Sequence, residues 1–398
     1  MTAGSGLGLG IIGAGGFAQF VASATSELSE VTIVAVTDLD AGRAGQMADA
    51  FGADALTNPA ALLGDDRVHA VVITTPPSTH ARLSLQALAG GRHVFCEKPV
   101  ALAESDADEV RKAVLASQRT FVVDHVLRYN PVLAALRRLQ DADLLGAVHR
   151  LAFENDASDE DLPAEHWFWD DKVSGGILLE HGVHFFDAAA MLIGAPALQV
   201  QAMGSTRTDG RTDTVVCTVA HAGGALATYS HGFSHAHRAE RQLLRLDAGL
   251  AEARVHGWIP LRAELDVWTD RVDAFEELPA HAADILVVPG VRPSGREHIA
   301  VTVDRNAAPA AATRARGAQH CAPHHVSVCI DLGGPDAKQA VYRESVRAAL
   351  LDLATCARTG AVPRANIELG HAAVLVAAAG TRALHDGLTH HLATTEAL

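Results

Sequence analysis

The chain has 398 residues and a formal net charge of −15 at neutral pH with histidine counted as neutral. A surface of that sign repels nucleic acid and anionic membranes, so neither is expected as a main partner. Hydrophobic residues make up 48% and charged residues 20%. That balance indicates a folded chain long enough for two domains and argues against global disorder.

Neither a secretory signal nor a membrane span is predicted. Residues 1–6 contain no basic residue, and the apolar run that follows is interrupted by Gly8 and Gly10. No apolar stretch reaches the length of about 18 residues that a spanning helix needs. The five cysteines include no CxxC pair. An odd number without a framework favours reduced thiols and a cytoplasmic location.

A glycine-rich turn near the start predicts a dinucleotide site. Residues 7–12 form a short apolar run, the sequence GAGGFA follows at 13–18, and a helix is expected from Phe17 to about residue 28. This is a G-x-G-x-x-A fingerprint between a strand and a helix. Gly13 allows the tight turn, Gly15 lets backbone N–H groups approach a pyrophosphate, and Ala18 lets the helix lie close to the strand. The predicted phosphate contacts are Gly13, Gly15, Gly16, Phe17 and Ala18.

The second strand supplies the matching carboxylate. Residues 31–37 are apolar and β-branched, and they end at Asp38, twenty residues after Ala18. A carboxylate there accepts hydrogen bonds from the adenosine ribose and repels a 2′-phosphate. The sequence therefore predicts NAD in preference to NADP, although the nearby Arg43 weakens that preference and leaves NADP open.

Strands and helices continue to alternate up to about residue 128. Further strands are predicted at 70–74, 93–96 and 120–123, with helices ending near 88 and spanning 104–116. This alternation is typical of βαβ units and a parallel sheet, in which ligands bind at the carboxyl ends of the strands. Asp38, Thr75, Pro76 and Lys98 all follow strands, so we expect them at one edge. Residues 1–128 are predicted to form a Rossmann domain.

Several motifs together resemble the Gfo/Idh/MocA oxidoreductases. After GAGGFA and Asp38 come TTPPSTH at 74–80, HVFCEKPVAL at 93–102, LRYNP at 127–131, GGILLEHGVHFFD at 175–187 and a final apolar helix at about 370–387. The resemblance implies an α/β fold with an N-terminal Rossmann parallel sheet and a C-terminal α+β domain containing a large, open, mostly antiparallel sheet. It also implies a substrate bound between the domains over the nicotinamide, and a homodimer or homotetramer.

The resemblance also implies the site residues. Lys98 of the EKP sequence, Glu180 and His184 match the family's catalytic positions. Glu180 departs from the more usual Asp and reaches one methylene further, which affects substrate geometry more than reaction class. The same motifs supply the remaining predicted cofactor contacts, which are Thr75, Pro76, His80, Glu97 and Lys98.

The residue types support hydride transfer to or from a carbon that bears an oxygen. Oxidising an alcohol needs a base for the hydroxyl proton, and reducing a ketone needs an acid. Lys98 precedes Pro99, which favours an extended backbone, and an ammonium can exchange a proton where a guanidinium cannot. Glu180 and His184 are four residues apart and would share one face of an α-helix. His184 is expected to exchange protons near neutral pH, and His181 is expected to point elsewhere.

The remaining chain, residues 129–398, is predicted to form the substrate-binding and oligomerisation domain. Alternating runs at 200–204, 214–220, 225–231, 242–248 and 253–259 indicate an antiparallel sheet, and helices are expected at 342–358 and 370–384, able to pack back on the first domain. An acidic stretch at 154–171 contains Trp167, Phe168 and Trp169, which either cover a substrate or anchor a loop. The Ala/Arg-rich stretch at 306–318 is predicted to be a mobile excursion.

No metal site is predicted. His320, Cys321, His324 and His325 resemble metal ligands, but nothing in their spacing fixes a tetrahedral site in a chain with 22 histidines. The leading hypothesis is an NAD(P)-dependent dehydrogenase or reductase acting on a sugar, cyclitol or related polyol. Two alternatives stay open. One uses tightly bound NAD for redox-assisted elimination, glycoside hydrolysis or sugar coupling. The other is a non-catalytic dinucleotide-binding regulator.

Overall fold

The computed structural model describes residues 6–282, 286, 298–305, 313–315 and 318–393. Most of the stretch at 306–318 lies outside these residues. The chain divides into two compact units. The first unit comprises Met1–Tyr129, Ala164–Asp187 and Arg343–Ala378, and the second comprises Asn130–Pro163, Ala188–Tyr342 and Ala379–Leu398. The first break follows Tyr129, and two later segments belong to the first unit, so no single cut of the chain separates the two.

The first unit contains a six-stranded parallel sheet with strand order β3-β2-β1-β4-β5-β6. This is the Rossmann order, and its crevice lies where the order reverses between β1 and β4. The strands are short apolar runs because helices cover a parallel sheet on both faces. They are β1 (Leu7–Ile12), β2 (Val31–Thr37), β3 (Asp54–Leu56), β4 (Ala70–Ile73), β5 (His93–Cys96) and β6 (Phe121–Val123).

Five helices alternate with these strands. They are α1 (Gly16–Thr25), α2 (Ala41–Phe51), α3 (Pro59–Leu63), α4 (His80–Ala89) and α5 (Glu104–Ser117), with 3-10 turns at Pro77–Thr79 and Val126–Tyr129. The sequence pattern predicted three of the five, α1, α4 and α5. α2 begins at Asp40, whose carboxylate accepts hydrogen bonds from the backbone N–H groups of Gly42 and Arg43. It ends at Gly52 in the left-handed conformation.

The second unit contains a ten-stranded, mostly antiparallel sheet with order β14-β17-β13-β12-β11-β7-β10-β9-β8-β18, in which β7 and β10 pair in parallel. The polar and apolar alternation of its strands predicted this type of sheet. Its strands, with the small separate pair β15 and β16, are β7 (Val148–Ser158), β8 (Ala197–Thr206), β9 (Thr212–His221), β10 (Leu226–His235), β11 (Arg241–Ala248), β12 (Ala251–His256), β13 (Arg262–Thr269), β14 (Ile299–Asp304), β15 (Thr313–Ala315), β16 (Ala318–His320), β17 (His324–Asp331) and β18 (His390–His391).

The remaining helices lie after the Rossmann strands. They are α6 (Pro131–Asp141), α7 (Asp171–Ser174), α8 (Val183–Ile193), α9 (Val272–Glu276), α10 (Lys338–Thr359) and α11 (Ile367–Asp386). A π-helical turn at Leu178–Gly182 precedes α8, and 3-10 turns lie at Trp167–Trp169, Ala222–Gly224, His237–Ala239, Leu278–His281 and Pro335–Ala337. The sequence predicted α10 and α11 to within a few residues, but not the strands β7, β13, β14 and β17.

Two helical stretches are long and apolar enough to cross a membrane by length and composition, Asp171–Ile193 and Ile367–Asp386. Within their most apolar windows, 67% and 61% of the residues are buried in the fold. Buried core helices of soluble proteins pass the same test, so these stretches are weak evidence for a membrane span.

Parts of the last two helices pack on the Rossmann sheet within the first unit. The Tyr129 hydroxyl donates to the Asp352 carboxylate at 2.8 Å, and Arg111 Nε donates to Glu368 at 2.6 Å. The closest approach is at Gly370 of α11, where an added Cβ would lie 2.6 Å from Cγ2 of Val123 in β6. The absence of a side chain at Gly370 therefore allows this helix to lie against the strand.

We predict that Gly370→Ala lowers the free energy of unfolding although alanine is the better helix former. Overpacking a well-packed contact costs about 1–3 kcal/mol, whereas replacing glycine in a helix gains about 1 kcal/mol. Gly45→Ala in α2 is the matched control, because a Cβ there meets nothing within 4 Å and should raise stability. Urea denaturation would measure both, and equal stabilisation by the two substitutions would contradict the close contact.

Candidate functional site

The turn after β1 forms an open cradle at the start of α1. Gly13 has a φ of 100°, and a Cβ there would lie 3.0 Å from the carbonyl of Thr74. At Gly15 and Gly16 a Cβ would meet nothing within 4 Å, and no side chain caps the helix. An uncapped N-terminus beside open space suits an anion, because its N–H groups and the helix dipole both favour negative charge. The donor set therefore fits a pyrophosphate.

Asp38 follows β2 and is tied to the same turn. Its Oδ2 accepts from the Ala14 N–H at 2.7 Å, and its Oδ1 accepts from the Asp40 N–H at 2.8 Å and from Arg43 Nη2 at 2.9 Å. Burial raises the pKa of Asp38, but these hydrogen bonds and the guanidinium outweigh it and hold the pKa below its usual value. The carboxylate therefore stays ionised, and Arg43 partly neutralises it.

The loop after β4 contributes Thr75, Pro76 and His80. Thr75 Oγ1 lies 2.6 Å from Thr79 Oγ1, and Pro76 is exposed. His80 is buried, with Nε2 2.7 Å from the Thr75 carbonyl oxygen and Nδ1 2.7 Å from the Pro99 carbonyl oxygen. The imidazole thus connects the loop after β4 with the loop after β5.

Lys98 lies at the end of β5, before a cis Lys98–Pro99 peptide bond. Its Nζ donates to the backbone carbonyl and to Oε1 of Glu180, both at 2.7 Å. The two side chains are 11% and 14% exposed, so water screens this ion pair only partly. The predicted acid–base residue and the predicted carboxylate are therefore in direct contact, although 82 positions separate them in the chain.

The segment that carries Glu180 needs two glycines and an unusual turn. Gly175 and Gly176 have φ values of 81° and 82°, a region that favours glycine. A Cβ on Gly175 would lie 2.9 Å from side-chain atoms of Leu102 and Leu179, so the backbone passes close to the EKP loop. Leu178–Gly182 is π-helical, so the predicted α-helical spacing of Glu180 and His184 was wrong for this stretch. Wide turns of this kind are frequent at functional sites.

Three histidines accompany Lys98, of which His125 and His184 are buried and His181 is half-buried. The rings of His181 and His184 have centroids 6.3 Å apart, so the expectation that His181 points elsewhere was wrong. Burial and the charge of Lys98 lower the pKa of His181 to about 3. Burial, Lys98 and the neighbouring His181 and His125 hold the pKa of His184 well below its usual value. His184 is therefore a neutral imidazole at neutral pH, which corrects the expectation that it titrates there.

His125 was not among the predicted site residues. It is 1% exposed, and neither ring nitrogen has a hydrogen-bond partner among the described residues. Burial lowers its pKa, and the charges of Arg128 and Lys98 lower it further against the opposing charge of Asp187. A buried imidazole without partners is costly, and a ligand hydroxyl or a water would satisfy it.

A second buried ion pair lies next to this group. Arg128 Nε donates to both carboxylate oxygens of Asp187 at 2.8 Å, and the Asp187 side chain is 1% exposed. Arg128 and Asp187 belong to the LRYNP and FFD sequences, but nothing in their spacing showed that they meet. The sequence signal that could have identified His125 and His181 is their residue type, since each is a histidine close to the motif residues.

The aromatic segment Trp167–Trp169 remains compatible with both predicted roles, as a cover for the substrate and as an anchor for the loop. Phe168 is buried and packs edge-on against Trp169 with ring centroids 4.9 Å apart, as an anchor would. Trp167 is 38% exposed, as a covering residue would be.

The residues that resemble metal ligands in the sequence, His320, Cys321, His324 and His325, lie far along the chain from the site residues. Nε2 of His325 lies 3.2 Å from Oδ1 of Asp266. Across the described residues, no group of three His, Cys, Asp or Glu side chains could hold a metal ion.

Comparison with known proteins finds curated oxidoreductases that match part of this chain. The chain is 32% identical over 203 residues to an inositol 2-dehydrogenase of Rhizobium meliloti, a match covering 50% of this chain and 59% of that protein. It is 28% identical over 225 residues to an uncharacterized oxidoreductase, YrbE, of Bacillus subtilis, covering 55% and 64%. The matched segments thus span about three fifths of these relatives' own lengths.

Solved structures share the fold over nearly the whole chain. An oxidoreductase domain protein from Kribbella flavida superposes with a TM-score of 0.77 at 17% identity, covering 98% of this chain and 100% of that one. A levoglucosan dehydrogenase, solved in complex with NADH and levoglucosan, gives a TM-score of 0.75 at 16% identity, covering 97% and 99%. At these identities the likeness concerns the fold alone.

Two family descriptions match consecutive parts of the sequence. "Oxidoreductase family, NAD-binding Rossmann fold" matches residues 7–125, and "GFO/IDH/MocA C-terminal domain" matches residues 133–257. Together these segments cover more than half of the 398 residues. The chain belongs to the Gfo/Idh/MocA oxidoreductase family.

Proposed function

We propose that this protein is an NAD-dependent oxidoreductase that transfers a hydride between nicotinamide and a hydroxyl or keto carbon of a sugar, cyclitol or related polyol. The observation that carries the proposal is the contact between Lys98 and Glu180 at the carboxyl end of β5. It lies at the same edge of the parallel sheet as the open turn at Gly13–Gly15 and as Asp38. Ligands of such sheets bind at that edge.

The cofactor contacts divide between two groups of residues. Gly13, Gly15, Gly16, Phe17 and Ala18 would cradle the pyrophosphate at the start of α1, and Asp38 would accept the ribose hydroxyls. Thr75, Pro76, His80, Glu97 and Lys98 would form the rest of the cofactor pocket. When bound, the dinucleotide supplies the hydride acceptor or donor, and the protein supplies orientation and proton transfer.

Lys98 would handle the proton at the reacting oxygen. In the oxidation of an alcohol, the free amine of Lys98 accepts the hydroxyl proton at Nζ, and in the reverse direction the ammonium returns it. Glu180 positions Nζ through two hydrogen bonds, one from its backbone and one from its side chain. His184, a neutral imidazole, would accept a hydrogen bond from a substrate hydroxyl.

The charges around Lys98 favour an uncharged substrate. The Lys98 ammonium is paired with Glu180, and the Arg128 guanidinium is paired with Asp187. The three histidines of this group are held neutral by burial. To pair with Lys98 or Arg128, a phosphorylated or carboxylate substrate would have to displace the carboxylate that already pairs with that cation. Hydroxyls, in contrast, can form hydrogen bonds with the imidazoles directly. Polyols therefore fit this group better than sugar acids do.

We also propose that the protein works in the cytoplasm as a homodimer or homotetramer. All five cysteines are free thiols, which fits a reducing compartment. On one face of the ten-stranded sheet, Met203, Val216 and Leu226 are 76%, 46% and 50% exposed, and the strand register places them on the same side. A second copy covering that face would bury them.

We predict tighter binding of NAD(H) than of NADP(H), with Asp38 as the cause. Asp38→Ala removes the carboxylate and leaves Arg43 to meet a 2′-phosphate, so the preference should shift toward NADP(H). Arg43→Ala should shift it further toward NAD(H), because the carboxylate then loses its paired cation. Fluorescence titration with both cofactors measures this, with Asp49→Asn on the exposed side of α2 as the charge-matched control. Tighter NADP(H) binding by the unsubstituted protein would overturn the role of Asp38.

We predict that Lys98→Ala and His184→Ala reduce turnover far more than cofactor binding. Loss of a positioned acid–base group typically costs about 10²–10⁴-fold in rate. Lys98→Arg keeps the charge but cannot release a proton, so it should bind NAD(H) and remain poorly active. The assay follows nicotinamide absorbance during a screen of sugars, cyclitols and keto-sugars, with Lys112→Ala as a control on the exposed surface of α5. Near-normal turnover in both alanine variants would place the chemistry elsewhere.

We predict a dimer or tetramer in light scattering at micromolar concentration. Val216→Glu should shift the distribution toward monomer, because it places a charge among the exposed apolar residues of the sheet. Leu115→Glu is the control, since Leu115 is 58% exposed on α5, outside that sheet. A monomeric unsubstituted protein would rule the assembly out.

A further inference from the structure

Two carboxyl groups lie side by side directly behind Lys98. Glu97 follows the last residue of β5, and Asp124 follows the last residue of β6. The two strands are parallel neighbours with Cys96 opposite Val123, and the Asp124 N–H donates to the Cys96 carbonyl at 2.8 Å. Neighbouring strands are about 4.8 Å apart, so residues at matching positions after them are direct neighbours.

Neither carboxyl has the partners that a buried charge requires. Asp124 is 2% exposed, and both Oδ1 of Asp124 and Oε1 of Glu97 are buried without a hydrogen-bond donor among the described residues. No ion pair of the described residues includes either group, because the amine of Lys98 is directed to Glu180. Buried carboxylates normally accept hydrogen bonds or pair with cations.

A single shared proton resolves this arrangement. Two adjacent carboxylates in a buried site cannot both carry a charge, because each disfavours ionisation of the other. Burial raises the pKa of Glu97 well above its usual value, and the Asp124 charge raises it further. Burial also raises the pKa of Asp124. The other titratable groups that face the pair are Lys98, Glu180 and Cys96, and of these only Lys98 favours ionisation.

We propose that Glu97 and Asp124 hold one proton between them as a hydrogen-bonded acid–carboxylate pair of net charge −1, and that this pair is a positioning unit that acts on Lys98 through its negative charge. The pair acts through Lys98 and does not itself touch the reacting atoms. Its negative charge attracts the Lys98 amine, so the pair is expected to affect proton transfer at Nζ.

Proton sharing does not depend on the reaction, whereas its effect on turnover rests on the proposed function. The shared proton also affects stability, and the direction of that effect with pH is defined. A carboxyl whose pKa is raised on folding contributes stability that is fully present below the pKa of the unfolded chain and is lost as the pH rises through the folded value. One retained proton changes the folding equilibrium tenfold per pH unit across that window.

The first experiment measures this proton without any substrate. Urea denaturation at a series of pH values from 5 to about 9 should show the unsubstituted protein losing stability relative to Glu97→Gln and to Asp124→Asn. Either variant leaves one carboxylate facing an amide donor, so neither needs the shared proton. Glu109→Gln, at an exposed position of α5, should follow the unsubstituted protein. Parallel curves for all four proteins would overturn the proposal.

Infrared spectroscopy gives a second measurement of the shared proton, which can still be made if one of the variants folds poorly. The unsubstituted protein at neutral pH should show the carbonyl band of a buried, protonated carboxylic acid. The Glu97→Gln/Asp124→Asn double variant, or whichever single variant folds, should lose that band. If the unsubstituted protein shows no such band at neutral pH, the carboxyls do not share a proton there.

The third experiment tests the effect on Lys98 through the pH profile of kcat/KM for polyol oxidation. The Glu97→Gln/Asp124→Asn double variant removes the negative charge, so it should move the acidic limb to lower pH by about one unit, because Nζ of Lys98 loses a neighbouring negative charge, whereas Asp124→Asn alone keeps one carboxylate and should leave the limb in place. A merely structural role would lower the plateau and leave the limb in place, which would overturn the positioning role. If no polyol is oxidised by the unsubstituted protein, the proposed function fails while the stability and infrared results still decide on the shared proton.

Discussion

The ion pair between Lys98 and Glu180 is the contact on which the arrangement of the candidate site depends. It joins the end of a Rossmann strand to a segment that lies 82 positions further along the chain. Because Nζ donates to both the backbone carbonyl and the carboxylate, it fixes the position of the turn as well as the side chain. The extra methylene of glutamate still permits this contact, so the departure from aspartate keeps the carboxylate beside the lysine.

Burial then determines the protonation states around this pair. The same loss of water contact that lowers the pKa values of His125, His181 and His184 raises those of Glu97 and Asp124. The result is a group in which the three histidines are neutral and the cations Lys98 and Arg128 are each paired with a carboxylate. Such an environment strengthens each remaining electrostatic interaction, which suits a site that moves a proton at one defined atom.

The parallel sheet explains why residues so far apart in sequence meet. Each strand of a parallel sheet ends at the same edge, so the turn at Gly13, the carboxylate of Asp38 and the amine of Lys98 share that edge without any special contact between them. The glycines at 175 and 176 extend this convergence, since their backbone passes close to Leu102 just after the EKP sequence. The fold thereby places the residues that we propose to bind phosphate and ribose and to transfer the proton along one line of strand ends.

The sequence by itself determined five of the six strands and three of the five helices of the Rossmann unit, because apolar runs and turn residues are local signals that survive without tertiary context. It also indicated Lys98, Glu180 and His184 through their motifs. Only the tertiary structure decided that Leu178–Gly182 is a π turn, that His181 and His125 join His184, and that Glu97 and Asp124 are neighbours. Those features depend on which strands pair and on how much water is excluded from the site. The spacing of residues along the chain specifies neither of these.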